Sequence, residues 1–310
     1  MKINLANIKK AKNLLNKREC VAIPTETVYG IAGNAYSDTA CKKIFRLKKR
    51  PSDNPLIIHY YDLNKLKGDC VLNDDFLKLY KRFCPGPITF ILNQKKTSKI
   101  SKIATNKKNT LAVRFPKHPV TRNLLKHLKF PIAAPSANIS SRISAVTSSD
   151  VKDDFGKKIK YILEGGRSSV GVESTIIDLR KKPKILRLGG LEVGIIQRIL
   201  KKKISIKINP SNISAPGQLR IHYSPGIPIR LNVKKIKKDE AFLLIKKSKI
   251  NKPNHYFLSK KGNLKEAAKN LYTVLRKIKK DNYKSIAVGK IPNKGFGKTI
   301  NDRLERASKF

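Results

Sequence analysis

Apolar residues recur at helical spacing over residues 6–18, which predicts an amphipathic helix, and CVAIPT at 20–25 reads as a strand. VYGIAGNA follows, and 38–48 predicts a second helix capped by Ser37 or Asp38. The pattern then alternates. PLIIHY is a strand, DDFLKLYKRF a helix, PITFIL and LAVRFP strands, and residues 119–128 a helix. PIAAPSAN, YILEGG, STIIDL and KILRLGG are strand-like pieces ending in turn residues, and 192–201 makes one more helix. Strands mixed with a few helices over residues 1–204 imply an α/β or α+β domain. From 205 to 228 Pro, Ser, Asn and Gly dominate, which marks a linker or an ordered crossing loop. Over 229–310 alternation resumes in the order β, β, α, β, α, from AFLLIKK to the basic ending INDRLERASKF, which fits a smaller α/β domain.

Composition adds a bound and a bias. The chain has 310 residues, 40% of them hydrophobic, enough for one large core or two smaller ones. Its 69 Lys+Arg against 21 Asp+Glu give a net charge of +48, a field that attracts nucleic acid, nucleotides and anionic surfaces. The lysines come with a heavy load of Ile and Asn, so charge alone does not identify the ligand. Cys20, Cys41, Cys70 and Cys84 form no C-x-x-C pair, which excludes a zinc ribbon or thioredoxin motif and points to reduced thiols. No stretch reaches the length of a membrane span, and the basic N-terminal segment lacks an apolar signal core; a cytoplasmic protein is expected.

Several segments carry candidate chemistry. GFGKT at 295–299 ends like a phosphate-binding loop, but the leading glycine position, 292, is Pro, so it reads as the start of a basic helix. PTETVYG at 24–30 offers two threonine hydroxyls and one acid, which can also serve as a helix N-cap. LKKRPSDNP places cations at a helix C-terminus, where the dipole favours them. Arg114 inside LAVRFP is harder to place: a strand arginine between apolar neighbours must face an anion or a buried carboxylate. APSANISSRIS supplies hydroxyl and amide groups that can wrap phosphate or ribose oxygens, or simply make turns. GVEST and LRLGG add a hydroxyl pair and another strand arginine. No Ser-His-Asp or Cys-His set stands out.

The order PTETVYG, K-x-R with N-P-L, VRFP, APSAN, ESTI and a strand arginine resembles the threonylcarbamoyl-AMP synthase family. APGQLRIHYSP resembles that family's interdomain linker, with Gln218 where Met is usual, and INDRLERAS resembles the ending of its two-domain form. The resemblance implies a YrdC-like twisted mixed sheet with helices around a concave basic cavity, plus a smaller Rossmann-like C-terminal domain. It implies that L-threonine, bicarbonate and ATP give threonylcarbamoyl-AMP and diphosphate, for modification of an adenosine in tRNA by a downstream tRNA threonylcarbamoyltransferase. Such a reaction needs no strong side-chain nucleophile, because positioning and charge neutralisation suffice.

The implied roles map onto this sequence residue by residue. Lys48 and Arg50 are the catalytic cations and with Asn54 hold the triphosphate; Thr110, Ser136, Asn138, Ser144 and Arg187 complete the ATP site. Ser144 is placed by position, because ISSRISAV departs from the family's usual segment. Thr27, His59, Arg114 and Ser174 hold the threonine, Tyr223 closes over the nucleotide with 215–225 as a lid, and Lys49 faces solvent. Magnesium is expected to ride on ATP phosphates rather than in a protein cage. Two alternatives compete: a non-catalytic YrdC-like protein that grips tRNA or other double-stranded RNA, and a carbamoyltransferase-like maturation factor, whose zinc-finger segments the cysteine spacing excludes.

Overall fold

The computed structural model describes residues 3–208, 216–217, 221–247 and 252–309. Residues 209–215 and 218–220, which include Gln218 and part of the expected lid 215–225, lie outside the described residues. The helices are α1 (Leu5–Asn16), α2 (Asp38–Lys48), α3 (Leu63–Leu66), α4 (Asp74–Phe83), α5 (Lys102–Thr105), α6 (Pro119–His127), α7 (Ser148–Phe155), α8 (Val193–Leu200), α9 (Leu264–Lys280) and α10 (Phe296–Ala307). The strands are β1 (Val21–Ile23), β2 (Gly30–Asn34), β3 (Ile57–His59), β4 (Ile88–Asn93), β5 (Thr110–Arg114), β6 (Ile132–Ala133), β7 (Thr175–Asp178), β8 (Lys184–Arg187) and β9 (Ser205–Ile206) in one sheet. A second sheet holds β10 (Ile229–Arg230), β11 (Glu240–Lys246), β12 (His255–Ser259) and β13 (Ser285–Val288).

Local chemistry sets the helix starts. Asn4, Ser37 and Asn73 accept from backbone N–H groups in the first turns of α1, α2 and α4, and Thr147 with Asp150 makes a full capping box on α7. In α1 the buried positions Ile8, Ala11 and Leu15 repeat at helical spacing and face the sheet. α2 ends where Lys49 takes a left-handed conformation, φ +49°, which turns the chain sharply into Arg50 and Pro51.

The large sheet runs β1-β2-β6-β3-β5-β4-β7-β8-β9, with parallel and antiparallel neighbours mixed. The main core lies on one of its faces; Ile57, Ile91, Ala112, Ile176 and Leu186 form a smaller cluster. The second sheet, β10-β13-β11-β12, is parallel throughout. Its core is continuous with the first unit: Val28, Ile143, Val146 and Val172 pack in one cluster with Leu271, Tyr272 and Leu304.

Three expectations shift. In PIAAPSAN only Ile132–Ala133 is strand, with a bridge from Ser136 to Gly30, and YILEGG contributes just a bridge from Ile162 to Ala22. The remaining backbone contacts to neighbouring strands, such as Ala134 N–H to the Ile57 carbonyl, are too sparse for a ladder. β9 pairs with β8, so the large sheet extends two residues past 204. α3, α5 and α7 were not anticipated; the first two are single turns too short to show a periodicity. The segment GFGKT does open a helix. Gly297 is required there by close packing, since a Cβ would lie 1.8 Å from the Pro292 carbonyl oxygen.

Candidate active site

Strand register builds the floor. His59 pairs with Arg114 across β3 and β5, and Arg114 pairs with Thr89 across β5 and β4. Adjacent strands lie about 4.8 Å apart, so these three polar residues form one row across the sheet. Ser174, just before β7, continues the row through a 2.7 Å contact between its hydroxyl and that of Thr89. Loops of the first unit and residues of the linker close around this row. The resulting cavity is lined by Arg50, His59, Arg114, Ser136, Glu173, Arg187 and Tyr223, among others.

Arg114 is 4% exposed and meets a carboxylate, as a strand arginine must: Nη2 donates to Glu26 at 2.8 Å and to the Thr27 hydroxyl at 2.7 Å. Its Nε is buried with no partner among the described residues. His59, beside it, stays neutral: burial first, then the positive charge of Arg114, pull its pKa down to about 3. Its Nδ1 lies 3.3 Å from the Ile57 carbonyl oxygen.

The K-x-R segment splits by position. Arg50 lines the cavity and grips its own turn, donating to the Asn54 carbonyl at 2.9 Å, the Asn54 side chain at 2.6 Å and the Pro55 carbonyl at 2.9 Å. Asn54 is fully buried, and its Nδ2 has no partner among the described residues. Lys48 does not line the cavity. It is 1% exposed and donates to the carbonyls of Ser136 at 2.6 Å and Asn138 at 2.5 Å, tying the S-x-N loop to the end of α2. Burial, then Arg50, push the Lys48 ammonium well below its ordinary pKa. Lys49 is exposed.

The S-x-N loop divides likewise. Ser136 lines the cavity and donates to Asn138 Oδ1 at 2.6 Å; Asn138 Nδ2 is spent on the carbonyls of Ile139 and Arg142. Ser144, fully buried, donates to Glu173 at 2.6 Å and stands behind the lining. Thr110 lies four residues before Arg114 on β5 and outside the cavity lining. An alternation of two places Thr110, Ala112 and Arg114 on one face, so Thr110 is displaced along the same floor.

Arg187 joins floor and linker. Its guanidinium donates to the Ser174 carbonyl and hydroxyl, both at 3.0 Å, and to the Pro216 carbonyl at 3.2 Å. Gly217 then passes so close that a Cβ would lie 2.6 Å from Arg187 Cδ, at a φ of +87° that favours glycine. Tyr223 has φ +64°, a left-handed conformation that costs a non-glycine residue roughly 1–2 kcal/mol. It is 1% exposed and its hydroxyl has no partner among the described residues. With Pro216, Gly217, His222 and Tyr223 in place, about 30 Å³ of the cavity remains, room for a water or two.

The electrostatic balance is positive. Arg50, Arg114 and Arg187 face the cavity, with Glu173 in the lining among the described residues and Glu26 behind it on Arg114. Burial lowers the pKa values of Arg50 and Arg187; the Arg187 guanidinium adds to this for Arg50, and those of Arg303 and Arg114 for Arg187, against the opposing pull of Tyr223 and Glu173. Each orphaned buried donor, Arg114 Nε, Asn54 Nδ2 and the Tyr223 hydroxyl, carries a penalty of about 1–3 kcal/mol that an anionic, oxygen-rich ligand would remove.

Sequence reasoning named the loops but not every residue in them. Glu26 and Glu173 sit inside PTETVYG and GVEST, and His222 precedes Tyr223; the demand of buried arginines for carboxylates was the available signal. Arg303, from α10, gave no local signal at all.

Comparison with known proteins gives a consistent result. A family model described as "Telomere recombination" (Sua5, YciO and YrdC) matches residues 13–189, and one described as "Threonylcarbamoyl-AMP synthase, C-terminal domain" matches 191–309. The threonylcarbamoyl-AMP synthase of Pyrococcus abyssi is 33% identical over 327 residues, covering 98% of this chain and 94% of the relative. That of Bacillus subtilis is 32% identical, covering 98% of this chain and 94% of its own. The crystal structure of P. abyssi Sua5 complexed with L-threonine matches with a TM-score of 0.91 at 32% identity, over 100% of this chain and 96% of that one. Escherichia coli YciO, 24% identical with a TM-score of 0.54 over 60% of this chain, shares the fold. The chain belongs to the threonylcarbamoyl-AMP synthase family, enzymes of the nucleotidyl-transfer type, in its two-domain form.

Proposed function

We propose that this cavity joins L-threonine, bicarbonate and ATP into threonylcarbamoyl-AMP with release of diphosphate. The observation that carries the reading is a cavity with three buried arginines and orphaned donors, floored by neutral His59 and the hydroxyls around Arg114. The threonine nitrogen bonds to the bicarbonate carbon with loss of water, giving a carbamate. A carbamate oxygen then attacks the α-phosphorus of ATP, and the bond from that phosphorus to the bridging oxygen breaks as diphosphate leaves.

Arg114, with Thr27, His59 and Ser174, holds the amino acid, its free Nε and the shared Glu26 pair directing one carboxylate into place. A neutral His59 can donate or accept a hydrogen bond without competing for that carboxylate. Arg50, Asn54, Ser136 and Arg187 hold the polyphosphate, while Lys48, Asn138 and Ser144 keep the surrounding loops in shape. Thr110 and Tyr223 complete the nucleotide site. Charge spread over the phosphate oxygens in the transition state is met by fixed cations, which need no reorganisation. Because a nucleotide pocket usually needs some hundreds of Å³, ATP entry requires Pro216, Gly217, His222 and Tyr223 to lift and then close.

Mg²⁺ would arrive on the triphosphate. Glu26 and Glu173, the carboxylates at the cavity, are each taken by their own partners, so phosphate oxygens and water are the fitting ligands. The product passes to a tRNA threonylcarbamoyltransferase, and the site of action is the cytoplasm; no helix among the described residues is long and apolar enough to cross a membrane. The family match along the whole chain supports catalysis over the RNA-gripping alternative. The test is diphosphate release from ATP with threonine and bicarbonate supplied singly and together. Release only with both is expected; release indifferent to threonine overturns the reading.

A further inference from the structure

Side chains of the C-terminal unit stand directly behind the cavity wall at Glu173. Arg303 of α10 is 1% exposed, and its Nε donates to Glu173 at 3.0 Å while Nη2 donates to the Leu188 carbonyl at 2.6 Å. A third contact joins it to Asp302, which also pairs with Arg306 at 3.0 Å. The Arg303 guanidinium lies 4.5 Å from the ring centroid of Tyr223, and Tyr223 stacks on Tyr272 of α9 at 5.9 Å. Tyr272 in turn donates its hydroxyl to Glu173 at 2.8 Å. Glu173 therefore receives Ser144 from the first unit and Tyr272 and Arg303 from the second, and it is the residue next to Ser174.

We propose that Arg303 is a positioning residue of the synthase reaction, neutralising Glu173 across the domain boundary and seating the ring of Tyr223 against the cavity. The inference rests on the proposed activity and adds a role for the second unit in it. A cavity that receives a triphosphate and a carboxylate cannot tolerate an uncompensated carboxylate on its wall; like charges there oppose binding and closure. With Arg303 in place the negative charge of Glu173 is spent within the protein, and Arg187 remains available to substrate. The Tyr223 ring, stacked between Tyr272 and the Arg303 guanidinium, keeps the linker from drifting off.

Charged and titratable groups face Glu173 from each packed element: Lys48 at the end of α2, Arg187 of β8, His222 and Tyr223 of the linker, Tyr272 of α9, and Asp302 and Arg303 of α10. Burial alone would raise the Glu173 pKa; Arg303 first, then Arg187, hold it down at about 2. Glu173 is thus ionised at every pH at which the enzyme is assayed, and contributes no pH dependence of its own.

The experiment compares Arg303→Leu, Arg303→Leu with Glu173→Gln, and Tyr272→Phe in the full chain. The assay is threonine-dependent diphosphate release between pH 5.5 and 8.5, with thermal melting of each variant. Arg303→Leu is expected to lower kcat/KM about 100-fold at pH 8 and less at pH 5.5, because Glu173 now takes up a proton as pH falls. The double variant recovers at least tenfold at pH 8 and loses that dependence. Tyr272→Phe, which removes only a hydroxyl and leaves Arg303 on Glu173, shows a smaller loss and a flat pH profile. A folded Arg303→Leu protein with wild-type kinetics overturns the proposal, as does an equal loss at all pH with no recovery in the double variant. Should Arg303→Leu fail to fold, Arg303→Gln, which keeps a donor for the Leu188 carbonyl but no charge, is assayed in its place and overturns the proposal on the same outcomes. Wild-type protein without threonine-dependent release would instead mark failure of the activity itself.

Discussion

The two sheets treat buried charge in opposite ways. Around the large mixed sheet, cations are under-compensated: Arg50 and Arg187 have lowered pKa values, and Arg114 keeps a buried donor without a partner. Around the small parallel sheet the ions come paired: Arg276 of α9 forks onto Asp154 at 3.0 and 2.7 Å, although its Nε, like that of Arg114, has no hydrogen-bond partner among the described residues. Arg230 forks onto Glu240 at 2.8 and 2.6 Å, and Asp302 joins Arg303 and Arg306. A crevice of about 250 Å³ does open beyond β10 and β13, lined by Val288, Lys290, Asn293 and Glu305, but it gathers no comparable set of unsatisfied donors. What sets the candidate site apart is the gathering of several unsatisfied donors and cations around one cavity; elsewhere the ions serve as scaffold. Burying ions costs several kcal/mol each, so a fold keeps them uncompensated only where a ligand restores the balance.

The strongest way to break this contrast is Arg114→Ala set against Arg230→Ala. The first should lower kcat/KM for threonine by about 1,000-fold, since it removes a bidentate anion partner and strands Glu26. The second should lower the melting temperature while threonine KM stays within twofold. Steady-state diphosphate release and thermal melting decide it; similar kinetic losses in both variants would erase the distinction between substrate-facing and scaffold charge.

A finer division lies within the K-x-R segment. Arg50→Ala should cost about 100-fold in kcat/KM for ATP, by direct loss of a phosphate fork. Lys48→Ala should cost about tenfold or more, acting through the loop of Ser136 and Asn138 that its ammonium ties down. Lys49→Ala, on an exposed left-handed cap, should change ATP kinetics less than twofold, like Lys290→Ala in the second unit. Equal losses for all of these would reduce the segment to a general electrostatic patch.

The smallest effect concerns stability against pH. Folded, His59 is held at about 3, by burial first and by Arg114 second, against 6.5 unfolded. The unfolded chain therefore binds more protons through that window, and stability falls as pH drops below 6.5, by ~1.4 kcal/mol per pH unit for this side chain. Denaturant unfolding at pH 7 and pH 5.5 should show a steeper loss in the wild type than in His59→Gln. Identical losses would mean that His59 does not sit neutral in the fold.

Much of this molecule was legible in the one-dimensional pattern. The spacing in α1 and α9, the cap at Ser37 and the strand arginines all follow from local rules of burial and capping, so the sequence carried them unaided. It also placed Arg50, Arg114, Ser136 and Arg187 in segments that converge. What it could not determine was which groups face the cavity and which stand behind it. Lys48 and Asn138 turn inward to brace a loop, Ser144 serves Glu173, and Thr110 falls one step down the floor. Nor could it pair Glu173 with Arg303, 130 positions apart, or stack Tyr223 on Tyr272. Those partnerships depend on strand register and on two cores merging across a boundary. Desolvation decides them, and it acts on groups close in space whatever their distance along the chain.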